Sequence, residues 1–196
     1  MNYLNLKTTD PAFNLAVEEY VFDYLPKDRM YVMLWQNDNA IIIGKNQNTL
    51  AEINEAFVKE HGIRVVRRLS GGGAVYHDMG NLNFTVIADA QGESLDFGRF
   101  CALVVKALQR VGVKAEINGR NDMTIDGKKF SGNAQYLRQG RVMHHGTILF
   151  DSNASVLANA LQVDQAKIQA KGVKSVRSRV TNVRPFLCRV HSGLWP

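Results

Sequence analysis

The sequence predicts an α+β fold, a mainly antiparallel β-sheet with helices packed on it. Three observations carry this. Short runs rich in β-branched and aromatic residues dominate the middle of the chain. Asp126-Gly127 and Gln139-Gly140 separate successive runs of this kind, and Asp-Gly is a hairpin dipeptide. Sustained helical spacing is confined to a few segments between and beside the strands.

The elements follow in order. Asp10 ahead of Pro11 is a helix start, a capping side chain before a proline that suits the first turn. Phe13, Ala16, Val17, Tyr20, Val21 and Tyr24 then fall on one helical face. Residues 31–35 and 40–44 alternate like strands around the polar turn Gln36-Asn37-Asp38-Asn39, and a short helix over 52–60 stops at Gly62. Residues 63–68, 74–76 and 83–87 read as strands by their β-branched content. Phe97, Phe100, Cys101, Val104, Leu108 and Val111 mark an amphipathic helix closed by Gly112. Strands are expected at 114–117, 123–125, 128–137 and 141–150, and helices near 152–162 and 164–170.

At 196 residues the chain fits one domain. A chain of that size buries about 70% of its unfolded surface. Its 45% hydrophobic and 21% charged content is ordinary for a globular protein. No apolar run approaches membrane-spanning length, and MNYLNLKTTD has neither a basic nor an apolar signal region, so the expected setting is cytoplasmic, away from membranes. Cys101 and Cys188 form neither a disulfide framework nor a metal spacing and are expected as buried or incidental thiols. A net charge of +6 suits nucleic acid, an acidic protein or an anionic small molecule. No helix-turn-helix, zinc-finger or RNP-like pattern accompanies the basic residues, which argues against nucleic acid as the partner.

The most informative run is RRLSGGGAVYHDMGNLNF, residues 67–84. Gly71, Gly72 and Gly73 join two predicted strands, so the loop is neither a Walker loop nor a dinucleotide turn, both of which open a helix. What remains is a bare loop whose amides approach an anion, with Arg67 and Arg68 supplying charge, or else a glycine-rich hairpin without a ligand. A second constellation lies in residues 118–146. There Lys129, Ser131 and Asn133 share one strand face at period two, with Lys128 pointing the other way. Polar residues beside small ones on a strand fit for burial suggest a lined pocket, and a lysine there pairs with an anion or stays at a solvated edge. For His144 and His145 the simple reading is a satisfied core histidine beside an exposed one, and no spacing supports a protein-built metal site.

Together, RRLSGGGAVYHDMGNLNF, NGRNDMTIDGKKFSGNAQYLRQGRVMHHGTILF and KGVKSVRSRVTN resemble the lipoate–protein ligases of the A type over residues 1–184. The resemblance implies the catalytic fold shared with biotin–protein ligases and class II aminoacyl-tRNA synthetases. It implies that lipoate and ATP give lipoyl-AMP and pyrophosphate, and that the lipoyl group then passes to a lysine of an acceptor domain. On this resemblance Lys129 contacts the lipoyl carbonyl and the α-phosphate as electrostatic catalyst, and Arg68 holds the nucleotide or the lipoyl carboxylate. Gly73, Ala74, Val75 and Tyr76 line the nucleotide and acyl site. Asn121 and Asp122 match an Asn-Asp pair in which the carboxylate helps hold Mg²⁺. Ser70, Gly72, His77 and His145 belong to the lipoyl pocket. The implied partners are the acceptor domains of 2-oxoacid dehydrogenase E2 subunits and glycine cleavage H protein.

Members of the family continue past Ser-Arg-Val-Thr-Asn into a longer helix and a small C-terminal domain, which residues 185–196 do not resemble. The expected organisation is a catalytic domain over 1–184, a divergent tail over 185–196 and no accessory domain. This is a natural short form, a truncation or a frame-shifted end. In the family the small domain can be a separate chain needed for adenylate formation, which leaves open whether this chain completes both steps. Two rival classes stand beside the ligase. One is an ATP-independent octanoyl or lipoyl transferase, which needs a cysteine nucleophile. The other is a degenerate, non-catalytic protein that holds lipoate or lipoyl-AMP.

Overall fold

The computed structural model describes residues 1–90, 92, 95–119, 121–161 and 180–187. A seven-stranded sheet forms the body of the fold. It comprises β1 (Asn2–Asn5), β2 (Tyr31–Trp35), β6 (Asn81–Asp89), β7 (Ala115–Asn118), β8 (Asp122–Ile125), β9 (Lys128–Arg138) and β10 (Arg141–Leu149), in the order β1-β2-β6-β10-β9-β8-β7. Every neighbouring pair is antiparallel except β1 with β2. The β8–β9 turn has positive φ at both Asp126 (49°) and Gly127 (72°), the conformation that makes Asp-Gly a hairpin former.

A second sheet holds β3 (Ala40–Ile43) between parallel β4 (Arg64–Arg67) and antiparallel β5 (Val75–His77). The sequence suggests alternation in β3, but all four of its residues are buried, because both faces of this central strand are covered. Ile41 and Ile43 pack with Ile53, Ile63 and Tyr76, while Ile42 faces the cavity described below. The expected 52–60 helix is two short ones, α2 (Thr49–Glu52) and α3 (Glu55–Glu60), capped by Asn48 and Asn54. Asn54 begins a new helix with its side chain, so the first helix ends before it.

Helices cover both faces of the large sheet. On one face α4 (Phe97–Arg110) places Phe100, Cys101 and Val105 against the strands. On the other, α1 (Pro11–Tyr24) is capped by Asp10, whose carboxylate accepts from the Phe13 amide. The face that α1 buries is only in part the apolar one in the sequence, since Val21 is buried and Val17 packs beside it but the aromatic residues are not. Pro11, Asn14, Glu18, Val21 and Phe22 point inward, whereas Phe13, Tyr20 and Tyr24 are exposed. Asn14 and Glu18 tolerate burial because each has hydrogen-bond partners there.

Helix α5 (Ala154–Ala160) follows β10, and the expected 164–170 helix lies outside the described residues. Residues 180–187 return to the sheet: the Thr181 amide donates to the Lys129 carbonyl and the Val183 amide to that of Leu149. Phe186 and Leu187 pack against the α4 core. Among the described residues no helix is long and apolar enough to cross a membrane.

Candidate functional site

The glycine loop runs from β4 to β5, and one buried arginine shapes it. Arg68 is 8% exposed and donates from Nε to Ser70 Oγ (3.1 Å), from Nη1 to the Ile42 carbonyl (3.0 Å), and from Nη2 to the carbonyls of Gly71 and Gly73 (both 2.8 Å). A guanidinium has five N–H donors, so one remains for a ligand. Burial lowers the Arg68 pKa to about 10, against the opposing pull of Glu18, and it stays charged at neutral pH. Gly72 sits at φ +93°, and its carbonyl lies 2.0 Å from where a Cβ on Gly44 would be. Glycine is therefore required at both positions. Beside Gly71 and Gly73 the space a side chain would fill is open.

Beneath the loop lies a buried polar chain that no motif or spacing predicts. Ser70 Oγ is 2.6 Å from His145 Nε2, and His145 Nδ1 is 2.9 and 3.1 Å from the two carboxylate oxygens of Glu18. Thr85 Oγ1 donates to Glu18 Oε1 (2.5 Å) and accepts from Trp35 Nε1 (2.9 Å). Thus neither histidine of the pair His144-His145 is exposed, and His145 is a buried link between the two sheets that also lines the cavity described below.

The opposite wall comes from β8, β9 and β10. A β-bulge between β8 and β9 places Met123 opposite Ser131 but Thr124 opposite Lys129, leaving Phe130 as the extra residue. Period two therefore breaks. Ser131 and Asn133 turn into the sheet's α4 side, while the Lys129 ammonium lies over Gly132, 3.0 Å from where its Cβ would be. Lys129 is half-exposed and pairs with Asp122 at 2.7 Å. Asn121 is held by reciprocal bonds with Asn133, its Nδ2 to the Asn133 carbonyl and Asn133 Nδ2 to the Asn121 carbonyl, both 2.9 Å. Behind them His144 accepts from Gln135 at Nδ1 (2.8 Å) and meets Asn133 Oδ1 through Nε2 (3.3 Å), stacked on Phe84 and Phe100. Burial pushes the His144 pKa down to about 3, so it is the satisfied neutral core histidine the sequence suggests.

Between these walls is a cavity of about 210 Å³. Arg68, Gly72, Gly73, Ala74, Val75 and His77 line one side, and Asn121, Lys129 and His145 the other. A second cavity of about 240 Å³ adjoins it, bounded by Ala74, Val75, Tyr76, Lys129, Leu149 and Val180. Lys129 borders both. Ser70 and Asp122 border neither and reach the site through Arg68, His145 and Lys129. Residues missed by sequence reasoning also line the first cavity, notably Trp35 and Asn83, whose spacing fits an ordinary core strand. At its deep end His77 Nδ1 meets Asn37 Nδ2 (3.1 Å), and its Nε2 has no hydrogen-bond partner. Burial, then Arg68 and His145, lowers its pKa to about 3.

Asp122 is the carboxylate nearest Lys129, and no cluster of three metal-ligating side chains occurs among the described residues. A lone carboxylate fits Mg²⁺ only where phosphates and water supply the other ligands. Cys101 is fully buried in the α4 core, with its thiol pushed up to about 11 by burial, so it does not serve as a nucleophile. Cys188 and most of KGVKSVRSRVTN lie outside the described residues.

A glycine loop over a sheet, a buried arginine that holds it and a lysine bordering two cavities make up the candidate site. This chain belongs to the lipoyl protein ligase A/B catalytic domain family, whose family model matches residues 10–192. It is 52% identical over 184 residues to the lipoate-protein ligase LplJ of Bacillus subtilis, covering 93% of this chain and 56% of that protein. The chain thus spans about half the length of the curated relatives it matches. Among solved structures it resembles a chain of the bi-partite lipoate protein ligase and E2 lipoyl domain system of Thermoplasma acidophilum (TM-score 0.85, 32% identity, 95% of this chain and 76% of that one). It also resembles a lipoate-protein ligase A bound with ATP (TM-score 0.80, 28% identity, 94% and 76%).

Proposed function

We propose that this domain activates lipoate with ATP and transfers the lipoyl group to a lysine of acceptor domains such as 2-oxoacid dehydrogenase E2 subunits and glycine cleavage H protein, in the cytoplasm. The observation that carries this reading is Lys129, whose ammonium borders both cavities beneath the glycine loop. A carboxylate is a poor electrophile toward an amine. Its oxygen therefore attacks the α-phosphate, the bond to the β-phosphate oxygen breaks, and pyrophosphate leaves. The acceptor amine then attacks the acyl carbon, and AMP leaves. The first step brings two anions together, which a fixed ammonium and oriented amides stabilise.

Lys129 takes that position, giving up Asp122 as ligand arrives. The open spaces beside Gly71 and Gly73 admit the nucleotide to backbone, with Ala74, Val75 and Tyr76 beside it and Asn121 held at the rim. The free Arg68 N–H faces the nucleotide or the lipoyl carboxylate. Gly72, His77 and His145 line the acyl pocket, which Ser70 supports from below. Asp122 is the residue for Mg²⁺, which would neutralise phosphate charge. The burial of Cys101 favours this route over a thiol-dependent transferase. The ATP-bound and bi-partite relatives support the nucleotide, the acceptor domain and a separate accessory chain as partners.

The test is mass spectrometry of an acceptor domain incubated with this chain, supplied with ATP plus lipoate or with preformed lipoyl-AMP. A lipoyl mass gain under both conditions is expected. A gain only with lipoyl-AMP assigns activation to an accessory chain, and no gain under either condition overturns the reading.

A further inference from the structure

We propose that Glu18 is a positioning residue that fixes Arg68, and with it the glycine loop, through His145 and Ser70. The use of that loop for nucleotide rests on the ligase reading, whereas the linkage itself does not. Hydrogen positions follow from the partners. Two donors converge on Glu18: Trp35 gives its indole N–H to Thr85, so the Thr85 hydroxyl donates onward to the carboxylate. A carboxylate oxygen facing a ring nitrogen accepts, which places a proton on His145 Nδ1, and in that tautomer Nε2 is the acceptor. Nε2 then takes the Ser70 hydroxyl proton, and the serine oxygen is oriented to accept from Arg68 Nε.

The chain therefore has a single direction, and its charged ends are a buried carboxylate and a buried guanidinium that never touch. Glu18 is 2% exposed and acts on Arg68 as a counter-charge. Arg68 in turn grips the carbonyls of Gly71 and Gly73. Ser70 and His145 are 75 residues apart, and His145 and Glu18 are 127, so only the packing of α1, β10 and the loop assembles the path. Removing any link loosens the Nε side of the Arg68 fork, which the Ile42 carbonyl still holds at Nη1, and weakens its grip on the loop carbonyls.

The experiment is a double-mutant cycle read by amide hydrogen exchange of residues 69–76 in the unliganded protein. Ser70→Ala and Glu18→Gln are each expected to speed loop exchange by about fivefold or more, with the double variant no faster than the faster single one, as links of one chain behave. Unchanged loop exchange in either single variant, or multiplying effects in the double, overturns the proposal. Should Glu18→Gln fail to fold, His145→Leu takes its place. His145→Gln, which keeps one donor and one acceptor, should then restore protection, and its failure to do so also overturns the proposal. Pyrophosphate release measured separately tells the two ideas apart, because a wild-type chain without ligase activity still gives a clear exchange result.

Discussion

On the proposed reading, Lys129 is the residue on which the chemistry turns. Replacing it with alanine removes the ammonium shared by both cavities and should lower pyrophosphate release from ATP and lipoate by about 10²–10³-fold, the effect of losing one fixed transition-state donor. Urea midpoints near wild type would separate this from unfolding, and retained turnover would refute the assignment. Gly44→Ala is a subtler probe, because the new methyl would sit 2.0 Å from the Gly72 carbonyl and must displace it. Nucleotide affinity, measured by calorimetry, should weaken by about tenfold with only a modest stability loss of ~1–3 kcal/mol. The glycine loop, Arg68 and Lys129 were all legible as sequence, since three glycines between strands and a lysine within one are unusual. Glu18 was not, because a lone glutamate on a helix has many uses.

Among the elements, α1 shows how apolar spacing misleads. Its aromatic residues Phe13, Tyr20 and Tyr24 face outward while Asn14 and Glu18 hold the inward face, each hydrogen-bonded to a partner distant in sequence. The helix start was correctly legible from Asp10-Pro11, and its energetic share is testable. Asp10→Ala removes the cap to Phe13 and the exposed pair with Arg64, and should lower stability, almost all of the loss coming from the cap. A shifted urea midpoint at constant slope is expected. Strand β9 gives the opposite lesson: its start and turn are legible in Asp126-Gly127, yet the Phe130 bulge reverses the partners of Lys129. A bulge adds one residue without any composition signal of its own, so period-two reasoning runs past it.

At the scale of the whole molecule, two histidines buried neutral set a pH limit. His77 and His144 both have pKa values near 3 when folded, against about 6.5 unfolded. Between those values the unfolded chain binds more protons, so stability is full above about pH 6.5 and falls as pH drops toward 3. Urea unfolding at pH 5 should give a stability lower by roughly 2–4 kcal/mol than at pH 7, and equal values would contradict the assignment. Acceptor docking should weaken with salt if the net charge of +6 attracts an acidic lipoyl domain, and an affinity indifferent to ionic strength would remove that contribution. The sequence by itself determined the α+β class, most strands and their turns, and the family, because these depend on local periodicity, turn chemistry and contiguous motifs. Only the tertiary structure decided which face of α1 is buried, which wall Lys129 occupies, and that Glu18, His145, Ser70 and Arg68 form one path. Those features depend on contacts between residues tens of positions apart, where burial of a polar group is allowed only by the partner that packing brings to it.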